Sequence, residues 1–276
     1  MTSAASENDW TVFAALVATT HPVSKYGGFQ LSEENLEQMV AALSSGKLPM
    51  LGHHDWSKPV RTRNILASVV TLEDGEKAVR LECEVQSQDL DAVGEIGGMS
   101  FTTFAPLGRV EGPHVGQPDL RLSADAAAFS EADIARASEL MAEIAPVEAR
   151  LLFQFNALET ARFVLELGYN VVQTLGPMLA ASAIWDGVSH LIIHRRHSPE
   201  LGAKTRIEMV TPLSDGREVI GLIDTDDPET ARLALQTYAR SVEIAAGANE
   251  PRVVIQWQAE HQEWDNGSSG GTQEPS

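Results

Sequence analysis

Cysteine is almost missing from this chain: Cys83 is the only one in 276 residues. That excludes a disulfide framework within the chain and any Cys-x-x-Cys metal or redox motif. Both exclusions fit a reducing compartment, so a cytoplasmic setting is expected. Basic residues are scarce as well, with 20 Lys and Arg against 39 Asp and Glu, for a formal charge of −19. So acidic a chain lacks the broad positive surface that phosphate backbones require, and nucleic acid is not expected as a partner. The opening MTSAASENDW has neither a basic n-region nor an apolar h-region, so export by a signal peptide is not expected. No internal repeat is evident.

Apolar residues are not lacking. At 43% of the chain they suffice for a packed core, in one large domain or two modest ones. A first block runs from about Trp10 to Ile144. WTVFAALVATT reads as a strand, and Ser32 caps a helix with Glu33 and Glu34 in its first turn and Leu36, Met39, Val40 and Leu43 on one face. LPML reads as a short strand. NILASVVTL and KAVRLECEV flank EDGE, a hairpin signal with Asp74-Gly75 at the turn. SQDLDAVGEI reads as a short helix capped by Ser87, GGMSFTTFAPLG and DLRLSADAAAF as strands, and SEADIARASELMAEI as a helix capped by Ser130.

Past Pro146 the texture turns helical. VEARLLFQFNALETARFVLEL places Phe155, Leu158 and Arg162 at helical spacing. Residues 167–185 carry no charge before Asp186, and HRRH follows at 194–197, the outline of a membrane span. Asn170, Gln173, Thr174, Gly176 and Pro177 dilute that outline, so a buried helical hairpin broken at Gly176-Pro177 is the expectation. TRIEMVTPL, SDG and REVIGLIDT then form a second hairpin. A helix with Asp227 near its cap and Pro228 in its first turn follows, and RVVIQWQAE closes as a strand. The tail DNGSSGGTQEPS is compositionally disordered.

Chemistry concentrates in LPMLGHHDWSKPV, residues 48–60. His53, His54 and Asp55 are neighbours, and neighbouring side chains on a strand diverge. No HExxH or other spaced ligand set accompanies them, and His114, His194 and His197 lie far off, so no metal or cofactor is expected. Cys83 sits mid-strand in RLECEV and is expected to face the core. A serine paired with a histidine is the stronger arrangement, because histidine takes the serine's proton near neutral pH. Ser100 follows Gly97-Gly98-Met99, where glycine lets backbone approach a substrate closely.

LPMLGHHDWSKPV, a hairpin, then DAVGEIGGMSF together resemble the phage prohead (head maturation) protease family, over about residues 10–145. The resemblance implies the assemblin-like fold of capsid-maturation proteases and a serine endopeptidase acting on protein substrates. His54, followed by Asp55 and Trp56, matches the base, and Ser100 the nucleophile. For the third member Asp125, Asp119 and His114 are available, and Asp125 is favoured. A homo-oligomer is implied as well. Two departures stand out: Arg61 where the family often has glycine, and Phe101-Thr102 where it often has Ile-Gly. They leave room for the alternative, a catalytically inactive protease-fold component of assembly or of a bacterial conflict system.

The expected architecture is α+β. Residues 1–146 form a strand-rich, assemblin-like barrel with helices, residues 147–263 a helical segment and a small β-β-α-β interaction unit, and residues 264–276 a disordered tail. Arg109 is expected in the loop after the Ser100 strand.

Overall fold

A computed structural model describes residues 9–45, 60–90, 102–112, 120–154, 161–176, 178, 182–196 and 204–266. The chain is α+β with two sheets, and it divides into two compact units. The first takes in the described residues up to Thr103, and the second begins within the strand that follows.

In the first unit, β1 (Trp10–Thr19), β2 (Thr62–Thr71) and β3 (Lys77–Gln86) form an antiparallel sheet in the order β1-β3-β2. The β2–β3 turn is the expected one. Gly75 takes φ 91°, and the Asp74 carboxylate accepts the Glu76 N–H at 3.1 Å. Helix α1 (Glu33–Ser44) starts with a capping box in which Ser32 and Asn35 each accept the other's backbone N–H. Leu36, Met39 and Leu43 pack with Val17, Leu81, Cys83 and Val85 as one core. Full burial of a leucine such as Leu36 makes truncation to alanine cost about 2–5 kcal/mol.

The second unit is built on an eight-stranded sheet. Its strands are β4 (Thr102–Val110), β5 (Leu120–Asp125), β6 (Val147–Gln154), β7 (Ala161–Leu167), β8 (Thr205–Pro212), β9 (Glu218–Thr225), β10 (Arg252–Gln258) and β11 (Glu263–Asn266). Their order is β11-β10-β9-β8-β7-β5-β6-β4. Three parallel pairs, β5/β6, β7/β8 and β9/β10, are each bridged by helix. The bridges are α2 (Glu131–Met141), then α3 (Tyr169–Leu175) with α4 (Ala183–His194), then α5 (Pro228–Ala245). Leu122, Phe163, Ile207, Ile223 and Ile255 pack with Ile134, Leu191, Tyr238 and Val242 of the helices. The alternate residues of the strands carry an ion-pair ladder: Arg121–Glu148 at 3.2 Å, Arg162–Glu208 at 2.6 Å, Arg206–Asp224 at 2.8 Å and Arg252–Glu218 at 2.7 Å.

Several expectations change. Val147–Gln154 and Ala161–Leu167 are two strands, β6 and β7, and not helix, while Phe155 and Leu158 lie outside the described residues. β7 lies inside the sheet and is buried on both faces, so it lacks the alternation that marks a half-exposed strand. The boundary expected at residue 146 falls between β5 and β6, which are hydrogen-bonded neighbours in one sheet. Trp264–Asn266, expected in the tail, belong to β11, where the Trp264 indole donates to the Ala234 carbonyl at 3.2 Å. Of the helix expected over residues 87–96, Ser87–Asp89 form a 3-10 turn, Leu90 is helical, and residues 91–96 lie outside the described residues. Among the described residues there is no closed barrel. The break within the uncharged segment stands where expected: α3 ends at Leu175, followed by Gly176 at φ 45°. Among the described residues no helix is long and apolar enough to cross a membrane.

Candidate active site

His54 and Ser100 lie outside the described residues, as do His53, Asp55, Trp56, His114, Asp119 and His197. What is described is the frame between the two motifs. The first motif ends at Val60, just before β2, and the second begins just after β3 and its 3-10 turn. β2 and β3 are antiparallel, with Thr62 opposite Val85, so the exit of one motif and the entry to the other share one end of the hairpin.

That end is clamped. The Gln86 N–H donates to the Arg61 carbonyl at 3.1 Å. The Arg61 N–H and Nε both donate to Asp89 Oδ2 at 2.9 Å, and Nη2 donates to Asp89 Oδ1 at 2.7 Å. A guanidinium gripping both carboxylate oxygens is stronger and more directional than a single contact. These hydrogen bonds hold the Asp89 carboxyl below the usual carboxylate range. The start of β1 joins the same end: the Asp9 carbonyl accepts the Ser87 N–H at 2.9 Å, and the Arg63 guanidinium sits 4.3 Å from the Trp10 ring centre. In the sequence Arg61 stands out only as a departure from glycine, and nothing local marks Asp89, because a contact across 28 residues has no local signature.

Asp125 ends β5, in the second unit, and is only 2% exposed. Its Oδ1 accepts the Ala127 N–H at 3.0 Å, and its carbonyl accepts from Ala128 and Phe129 at 3.0 and 2.9 Å. It thus closes the turn that leads from β5 towards α2. Arg109 lies within β4 and not in a loop after it, and it pairs with Glu111 at 3.3 Å. Cys83 faces the first core, where burial pushes its thiol pKa up and keeps it protonated, the opposite of a nucleophile's requirement.

Two further polar groupings escaped the sequence reading. Arg162 and Glu208, both buried, pair inside the ladder, and removing one partner of such a pair costs about 3–5 kcal/mol. His190 and His194 stack on α4 beside Asp133 of α2. Among the described residues no group of three or more His, Cys, Asp or Glu side chains could hold a metal ion. Comparison with protein-family models, with curated proteins and with solved structures gave no match.

Proposed function

We propose that the chain is a serine endopeptidase of the prohead-protease kind, with the first unit contributing to an assemblin-like scaffold. In this reading His54 removes the proton of Ser100, whose oxygen attacks a peptide carbonyl of a protein substrate. The imidazolium then returns the proton to the leaving amine, and water attacks the acyl-enzyme by the same route. Asp125 is the proposed carboxylate partner of the imidazole. The reading carries with it a cytoplasmic homo-oligomer that needs no cofactor.

The observation that carries it is the Arg61–Asp89 clamp. It fixes the ends of the two motif-bearing segments at one end of the β2–β3 hairpin. His54 is then seven residues from Arg61 and Ser100 eleven from Asp89. At up to about 3.5 Å per residue, both are within tether reach of a common point.

Intact-mass analysis after treatment with a fluorophosphonate probe tests the reading. One adduct per chain is expected on the wild type, none on Ser100→Ala, and labelling slowed roughly 10²–10⁴-fold in His54→Ala. A folded wild type that takes no adduct at any protein concentration would overturn it in favour of the inactive binding platform.

A further inference from the structure

From the open edge of β1, we infer that two copies of this chain associate by antiparallel pairing of β1 with β1 across a two-fold axis. The inference gives a surface to the homo-oligomer of the peptidase reading, but it stands on the strand alone and not on His54 or Ser100.

β1 ends its sheet. In the order β1-β3-β2 it is paired on one side, and among the described residues no strand lies against the other. Such an edge presents a row of backbone N–H and C=O groups ready to pair with another chain, and folded proteins blunt it with charge, proline, bulges or short length. The other sheet edges of the described residues are blunted in these ways. β4 carries Pro106 and Arg109, and β11 is four residues long with Glu263 and Asp265. β2 is interrupted at Asn64, φ 53°, beside Arg63, where its register with β3 shifts. β1 has no such device over Trp10–Leu16. Its register with β3 is unbroken there, and no charged residue or proline occurs from Trp10 to Thr20.

The side chains of β1 divide as strand alternation requires. Phe13, Ala15 and Val17 pack into the first core with Leu36 and Met39 of α1. Val12, Ala14 and Leu16 point the other way and are exposed, Val12 at 76% and Leu16 at 47%. Opposite them on β3 stand Glu84, Glu82 and Arg80. These charges close on near neighbours, Glu84 with Arg63 of β2 and Arg80 with Glu82 at 2.6 Å. This face therefore matches two arginines with two glutamates, in a chain whose formal charge is −19. Two copies of so acidic a chain repel over most of their surfaces, and a neutral face with an apolar, open edge is where they can meet. That charge balance selects a second copy as the occupant, because β1 paired with itself sets no charge against a like charge.

Antiparallel self-pairing is isologous, so it closes as a dimer. The register that matches the exposed apolar residues puts Val12 opposite Leu16 of the partner subunit and Ala14 opposite Ala14 of the partner subunit, at the axis. Two three-stranded sheets then become one continuous sheet.

Sedimentation equilibrium of the full-length protein is expected to give a mass of two chains for wild type and of one chain for Val12→Lys/Leu16→Lys. Both positions are exposed, so the lysines leave the core intact, and circular dichroism checks the fold. Leu66→Lys, at an exposed position on β2, should remain dimeric. Directly opposed Cα atoms of antiparallel strands lie about 4.5–5.5 Å apart, within the roughly 4.4–6.8 Å that a disulfide spans. Ala14→Cys should thus give a disulfide-linked dimer on mild oxidation, while wild type, whose single cysteine is buried, stays unlinked. A wild type that is monomeric at every concentration, a dimer that survives Val12→Lys/Leu16→Lys, loss of the dimer in Leu66→Lys instead, or no cross-link in Ala14→Cys would each overturn the inference. Fluorophosphonate labelling of Ser100 is a separate readout, so failure of the peptidase reading and failure of this pairing are told apart.

Discussion

At Asp125 the carboxylate has an observed task and a proposed one, and a single atom separates them. Asparagine keeps the oxygen that accepts from Ala127 and removes the charge. Asp125→Asn should therefore still close the turn and fold, which a cooperative melting transition checks. If the carboxylate supports His54, fluorophosphonate labelling of Ser100 should slow by roughly 10²–10⁴-fold in this variant. Labelling at the wild-type rate would assign Asp125 to the turn alone. Asp89 offers a second test at this scale. Its pKa in the fold lies below the value near 3.9 of an unfolded chain, chiefly because Arg61 donates to it. As acid is added, the unfolded state takes the proton first. The contribution to stability is thus complete above about pH 5 and is lost as pH falls through the folded value. Because Arg61 is half exposed, the effect should stay at or below about 1 kcal/mol. Urea midpoints measured from pH 7 down to pH 3 should fall less steeply for Asp89→Asn than for wild type. Identical slopes would show that the clamp adds nothing to stability.

At the scale of elements, Gly187 of α4 marks a close approach to α2. A Cβ there would lie 2.6 and 2.7 Å from Met141 side-chain atoms and 2.9 Å from the Ala137 carbonyl oxygen of α2. Alanine would gain about 1 kcal/mol of helix propensity, but the backbone oxygen cannot yield as a flexible side chain can. Gly187→Ala should therefore be net destabilising, by about 1–3 kcal/mol, read as a lowered thermal midpoint. An unchanged or raised midpoint would mean that α2 and α4 separate freely. The charged ladder from Arg121 to Arg252 lies along strands whose other residues fill the core.

For the molecule as a whole, two separate cores are the governing fact. One gathers around Leu36 and Leu81, the other around Phe163 and Tyr238. Units with their own cores need not unfold together. Calorimetry should show two transitions, with Leu36→Ala lowering one and Phe163→Ala the other. A single transition moved equally by both substitutions would mean that the units fold as one. The sequence by itself determined whatever closes within a few residues. Ser32 and Ser130 cap their helices, Asp227 and Pro228 start α5, and the turns at Gly75 and Gly216 join their strands as read. Each depends on hydrogen bonds or backbone angles spanning three or four residues, so the local chain holds the information. The order of the motifs around His54 and Ser100 is likewise a property of the chain alone. Only the tertiary structure decided that Val147–Gln154 and Ala161–Leu167 are strands, that β5 and β6 belong to one sheet, that Trp264 seals the second core and that Arg61 grips Asp89. It also brought His190 and His194 beside Asp133. These depend on partners far away in sequence, and burial by such partners overrides a spacing pattern that, in a strand covered on both faces, no longer distinguishes sheet from helix.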